Sequence, residues 1–241
     1  MYQPRTYRQL IQPEGLVCLR VCVAETDLQI AATHDLSLPA LQAVKRLRGE
    51  LEDHLRQVPA FATSLQPLPE PAGLPPLVAA MYRAAQAAEV GPLAAVAGAV
   101  AQGVGETLGG LSEELIIENG GDIYLASRQP RRVAIQAGDS PLSGRLALLL
   151  PGGEPLGICT SSGTVGHSLS FGRADAAVVI SDDAALADAV ATALGNRVSS
   201  AGDIEPALEW AQQLPGVRQA LLIVGETLGV WGEFELAPIK G

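Results

Sequence analysis

The chain has 241 residues, with 16 Lys and Arg against 26 Asp and Glu, for a formal net charge of -10. That balance excludes a nucleic-acid binder working through a general basic surface, and 4% aromatics are too few for an extended stacking platform on single strands. Hydrophobic residues at 48% supply the core of a folded domain, and 26 Gly with 17 Pro imply many turns rather than low complexity.

Met1 to Leu10 carries Arg5 and Arg8 with no apolar stretch and small-residue cleavage site behind them, so a cytoplasmic chain is expected. Leu16 to Ala24 alternates, with Val17, Leu19, Val21 and Val23 on one face; after Glu25-Thr26-Asp27, Leu28, Ile30 and Ala32 alternate again, which predicts a hairpin. Cys18 and Cys22 share the other face of the first strand with Arg20 and are expected as small buried thiols. With Cys159 they make an odd count that fits neither a paired zinc site nor a disulfide framework, as in a reducing compartment. From a Ser37 cap, Leu41, Val44, Leu47, Leu51 and Leu55 recur at helical spacing. Six prolines from Pro59 to Pro76 favour an extended connection, and helices follow at Leu77 to Val90 and Leu93 to about Leu108. The longest uncharged stretch, Val90 to Gly105, is too short and too glycine-rich to span a membrane.

Strands are predicted at Glu114 to Ala126 and Arg132 to Gln136, then at Arg145 to Leu150, Leu156 to Thr160, Ser168 to Ser170 and Asp175 to Ser181. Helices follow at Ala184 to Leu194 and Ile204 to Leu214, and strands at Gln219 to Val224 and Val230 to Leu236. Each half then reads as two strands, two helices, two strands. The expected fold is α+β, one domain of two pseudo-repeats, roughly 14–140 and 141–241, with antiparallel sheets carrying helices on one face. No dinucleotide or Walker A glycine motif is present.

Four segments can carry chemistry. Asn119, Gly120, Gly121 and Asp122 follow the apolar Leu115-Ile116-Ile117; two glycines there permit either an ordinary turn or the approach of a ligand to the backbone. Ala97 to Gly105 places three glycines in a helix, for close packing or to offer a peptide group to a ligand. Thr160, Ser161, Ser162 and Gly163, continuing to His167, offer hydroxyls and amides suited to phosphate; a Ser nucleophile with His167 as base lacks its usual elbow. Asp188 and Thr192 are four apart on one helical face, a spacing that suits hard oxygen ligands of Mg²⁺ as well as a solvated carboxylate.

In order and spacing these segments resemble the ApbE superfamily of Mg²⁺-dependent FAD:protein FMN transferases. Asn119 to Ile123 is similar to its Asn-x-Gly-Gly-Asp-Ile strand end, Gly98 to Gly103 to its Gly-Ala-Ile-Ala-Lys-Gly segment, Thr160 to Gly163 to its Thr-Ser-Gly stretch, and Ala187 to Leu194 to its Ala-Asp-Ala-x-x-Thr-Ala helix. The wording ENGGDIYL and TSSG is closer still to a sister family of short ApbE-like proteins. The resemblance implies a duplicated T-fold-like architecture and Mg²⁺ on Asp188, Thr192 and the Ala101 carbonyl. It also implies FAD or FMN near Gln102, Asn119 to Asp122, Thr160 to Gly163 and His167. Gln102 stands where the family has Lys, and Ser170-Phe171 where its His-x-x-Asp-Pro motif would end. Two expectations follow: a flavin-nucleotide protein, monomer or homodimer, that transfers FMN, or a non-catalytic nucleotide-binding or protein-interaction subunit on the same fold.

Overall fold

The structure, a computed structural model, describes residues 13, 15–163 and 172–239. The first predicted hairpin is present as β1 (Val17–Val23) and β2 (Thr26–Ala32), joined by a two-residue turn. The amphipathic stretch forms α1 (Ser37–Gln57), burying Ala40, Ala43, Val44 and Leu47. Ser37 is not its cap. Asp35 accepts from the Ser37 amide at 2.8 Å and from its hydroxyl, so the carboxylate ahead of the helix takes that part. The proline segment is extended except for a single turn, α2 (Ala60–Thr63), which seats Phe61 in the core. α3 (Pro76–Ala88) and, after a 3₁₀ turn at Pro92–Ala95, α4 (Val96–Leu108) complete the first helical group.

The single strand expected over Glu114 to Ala126 is two: β3 (Leu115–Asn119) and β4 (Asp122–Ala126). Gly120 and Gly121 both take positive φ, at 73° and 108°, and so close a two-residue hairpin that residues with side chains would strain. β5 (Arg131–Ala134), β6 (Leu146–Leu150), β7 (Leu156–Ser161) and β8 (Ala176–Ser181) follow, then α5 (Ala184–Asn196) and α6 (Ile204–Gln212). The final predicted strand is also divided, into β10 (Thr227–Gly232) after β9 (Val217–Val224), and β11 (Glu235–Pro238). The strand read at Ser168 to Ser170 lies outside the described residues.

Among the described residues all eleven strands pair antiparallel, in an eight-stranded sheet of order β1-β2-β3-β4-β7-β8-β9-β10 and a three-stranded sheet of order β11-β6-β5. The strand pairs on either side of each helical group are therefore β1-β2 with β3-β4, and β7-β8 with β9-β10. β5, β6 and β11 leave that order for the small sheet. The fold is α+β, as the hairpin-rich pattern implies.

Alternation along each strand sorts the core into two layers. Leu28, Ile30, Leu115, Ile117, Cys159, Val179 and Leu222 face the helices, whereas Leu125, Leu156, Ile158, Val178, Ile180, Leu221 and Ile223 face Ile135, Leu148 and Leu150 of the small sheet and its flank. Cys18 and Cys22 are exposed, not buried. β1 is an edge strand, and the small sheet backs β4, β7, β8 and β9, so nothing among the described apolar layers reaches the thiol face. Cys22 donates its thiol to Asp27 at 3.1 Å. Among the described residues no single helix is long and apolar enough to cross a membrane; α3 and α4 pass such a test only as a pair bent by 108°, and most of their residues are buried in the core.

Candidate functional site

The β3-β4 hairpin, the end of β7, the start of α4 and the middle of α5 converge on the helix side of the large sheet. The Asn119 amide donates to the Ala97 carbonyl at 3.1 Å, tying the hairpin to the first turn of α4. Asp122, directly across the turn, accepts from the Thr160 amide at 3.2 Å and so ties β4 to the end of β7. The hairpin is braced from the opposite face by Glu118, which accepts from the Gly121 amide at 2.7 Å. Asn119, Asp122 and Glu118 are all buried.

Asp188 meets this group from α5. Its Oδ2 accepts from the Gly98 amide at 2.9 Å, at the end of α4 where amides lack helical partners and the helix dipole favours an anion. The close approach needs glycine: a Cβ on Gly98 would lie 2.1 Å from the Ala184 carbonyl oxygen and 2.9 Å from the Asp188 Cβ. Asp188 keeps some solvent contact as a residue, yet burial of its carboxyl, with the Asp122 carboxylate beside it, holds it well above the usual carboxylate range. The Ala97 and Gly98 amides oppose that shift, and among the described residues no cationic side chain contributes to it. Cys159, in the next position across the ladder from Asp122, lies beside both carboxylates; burial and these two charges push its thiol up, and its Sγ donates to the Ala184 carbonyl at 3.4 Å.

Two carboxyl groups pressed together, one of them supported by the Ala97 and Gly98 amides, form a cluster of hard oxygens. That donor set fits Mg²⁺, which takes carboxylate and carbonyl oxygens and keeps several waters. Thr192 lies one helical turn beyond Asp188, on the stretch of α5 between Ala184, packed on Gly157, and Gly195, packed on Gly172. Ala101 lies one turn along α4 from Gly98 and is fully buried. Ser161 faces the same side of β7 as Cys159, and its buried hydroxyl has no hydrogen-bond partner among the described residues. Ser162 is half-buried and Gly163, exposed, donates its amide to Ala174. His167 lies outside the described residues.

Gln102 is turned elsewhere. Its Oε1 accepts from the Ala184 amide at 2.6 Å and its Nε2 donates to Glu106 at 2.9 Å, so it fastens α4 to the first turn of α5. It lines a groove of about 370 Å³ with Glu106, Tyr124, Glu154, Pro155 and Asp182, past the opposite end of the contact between the two helices from Asp188. A larger groove, about 470 Å³, lies on the small sheet against Arg132, Ala134, Ala147, Pro238 and Ile239 and includes none of the clustered residues.

The residue pattern placed Glu118 and Cys159 at the heads of two of these segments and allowed Ala97 to Gly105 to offer a peptide group, but it did not give the part each plays: Glu118 bracing the turn, Cys159 beside both carboxylates, and the Ala97 carbonyl and Gly98 amide as the groups used. Glu118 sits within the motif but on the opposite face, and period-two alternation is the signal that separates it from Asn119 and Asp122. Backbone groups leave a trace in sequence only through the glycine that lets a partner reach them.

A family model described as AbpE bacteria matches residues 8–230, most of the chain. The chain belongs to that family. It is 40% identical over 211 residues to a UPF0280 protein of Methanocella arvoryzae, covering 87% of this chain and 86% of the relative. It is 45% identical over 221 residues to a UPF0280 protein of Methanothermobacter thermautotrophicus, at 88% and 84% coverage. Among solved structures it is similar to the apo form of the Pseudomonas stutzeri flavinyl transferase ApbE, with a TM-score of 0.56 over 90% of this chain and 93% of that one. At 16% identity, that likeness concerns the fold.

Proposed function

We propose that this family member is a Mg²⁺-dependent flavin-nucleotide protein whose site lies between the β3-β4 hairpin, the end of β7, α4 and α5. The observation that carries the reading is the adjacency of the Asp122 and Asp188 carboxyl groups beside the first turn of α4. A divalent ion relieves that repulsion, and it would be held by Asp188 and Thr192 with a carbonyl from the first turns of α4, Ala101 in the alignment of motifs. Bound there beside a flavin diphosphate, Mg²⁺ supplies neutralisation of pyrophosphate charge. The chain's own groups do the rest. Asn119 and Asp122 hold the hairpin in place through Ala97 and Thr160, and the Ser161 hydroxyl, without a partner among the described residues, offers a hydrogen bond to a phosphate oxygen. The Gly120-Gly121 turn presents backbone without side chains, so a planar or phosphate group can approach it. The reaction such a site suits is transfer of FMN from FAD to an acceptor hydroxyl, with AMP leaving.

A second reading, binding without transfer, is favoured by one observation: Gln102, at the position of the family Lys, is committed to α5 and brings no cation. Titration of FAD with and without Mg²⁺, while AMP and FMN are followed, decides between them. Mg²⁺-dependent binding that weakens by more than about tenfold in Asp188→Asn is expected under both readings, and AMP release under the first. Binding indifferent to Mg²⁺ and to this substitution would overturn the assignment of the site.

A further inference from the structure

β10 ends the eight-stranded sheet, and among the described residues no strand pairs with its outer edge. The Gly225-Glu226 turn closes on the Val224 and Thr227 pair, so the alternation of an antiparallel ladder turns the amides and carbonyls of Leu228, Val230 and Gly232 away from β9. None of these groups has a backbone partner among the described residues. Natural edges are guarded by charges, prolines or bulges, and Thr227–Gly232 has none of the three. Gly229 packs beneath Ile204 and Leu208 of α6, which leaves Leu228 and Val230 on the other face with 36% and 46% of their surface exposed.

We propose that this edge is the interface with a second copy of the chain, paired antiparallel about a two-fold axis at Val230. Both large sheets would then join into one. At this register Val230 faces Val230 of the partner subunit, and Leu228 faces Gly232 of the partner subunit, whose missing side chain leaves room for it. The register is self-complementary, and the charges along the strip leave it open to a second copy. Each chain carries -10, so two copies need a meeting strip without opposed carboxylates. Glu226 comes opposite Phe234 and Glu233 opposite Thr227, while Glu233 is already neutralised by Arg218 at 2.8 Å. The opposite edge, β1, carries Arg20 in mid-strand, and pairing it with β10 would make a head-to-tail contact that propagates instead of closing.

Sedimentation equilibrium of the full chain across a micromolar concentration series tests this. The expected result is a species of twice the 24.9 kDa chain mass, whose dissociation constant rises at least about tenfold in Val230→Lys because two ammonium groups meet across the axis. Val230→Lys alters an exposed side chain, and an unchanged circular dichroism spectrum and melting temperature would show that the fold persists. In a background with Cys18 and Cys22 replaced by Ser, Val230→Cys should cross-link to its own copy under mild oxidation. A monomer at every concentration, or a dimer that is indifferent to Val230→Lys and does not cross-link through residue 230, would overturn the proposal.

Discussion

At the scale of single residues, Asp188 stands out because its surroundings work against its charge. Its carboxyl is enclosed, faces another carboxylate, and among the described residues draws its support from amides at the start of α4. An Asn side chain can keep the hydrogen bond from Gly98 through its carbonyl oxygen while removing the repulsion from Asp122. Asp188→Asn is therefore expected to raise the melting temperature of the metal-free protein, by an amount on the order of 1 kcal/mol or more of stability. Added Mg²⁺ should raise the melting temperature of the native chain but leave the variant unmoved. A variant that melts lower than the native chain would show instead that the carboxylate is part of the fold's support.

His54 is a residue of a different kind. It is buried near the end of α1, shares a 3.0 Å hydrogen bond with the Tyr82 hydroxyl, and meets Phe61 and Tyr82 edge to face. Burial depresses its pKa below 6.5 and favours the neutral ring. The unfolded chain then binds the proton more readily than the folded one, so this group's contribution is complete above about pH 6.5 and is lost as pH falls through the folded value. Melting temperatures should decline from pH 7 toward pH 5 with a component that disappears in His54→Gln. Identical pH profiles for the two proteins would remove His54 from the account.

At the scale of elements, α4 joins the two helical groups through three glycines used for space. Gly98 admits the Ala184 carbonyl and Asp188, a Cβ on Gly103 would lie 3.1 Å from the Leu47 side chain, and a Cβ on Gly105 would lie 2.2 Å from the Tyr124 ring. Close packing thus accounts for all three, and at Gly98 it also exposes the amide that Asp188 uses. Gly98→Ala must separate α4 from a backbone carbonyl that has little freedom to move. A loss of about 1 to 3 kcal/mol is expected in denaturant melts, together with weaker Mg²⁺ binding, because the Asp188 hydrogen bond lengthens with the helix spacing. A neutral Gly98→Ala would mean that the two helices are not locked at this spacing.

Across the whole molecule, the periodic elements were legible and the punctuation between them was less so. Helix α1, hairpin β1-β2 and helix α5 follow directly from alternation and from the 3.6-residue period. The break at Gly120-Gly121 was hidden because apolar residues continue on both sides of it, and Glu233-Phe234 hid the division of β10 from β11 in the same way. The thiols of β1 were misread because alternation says which residues share a face but not whether anything covers it. Likewise, spacing brought Asp188 forward as an oxygen ligand, whereas its meeting with Asp122 and Gly98 joins segments some 66 and 90 positions away and required the fold itself.

The small sheet has a consequence for the order of assembly. The large sheet lays its strands down in the sequence in which a ribosome would deliver them, so each new strand finds its neighbour already made. β6 cannot be completed in this way. One side of it receives β5 early, while the other waits for β11, whose Leu236 sits opposite Leu148. The second core layer, with Ile158, Val178 and Ile223 beneath it, therefore remains open until β11 has been delivered, and a nascent chain halted before Glu235 should be far more sensitive to protease than one that has passed it.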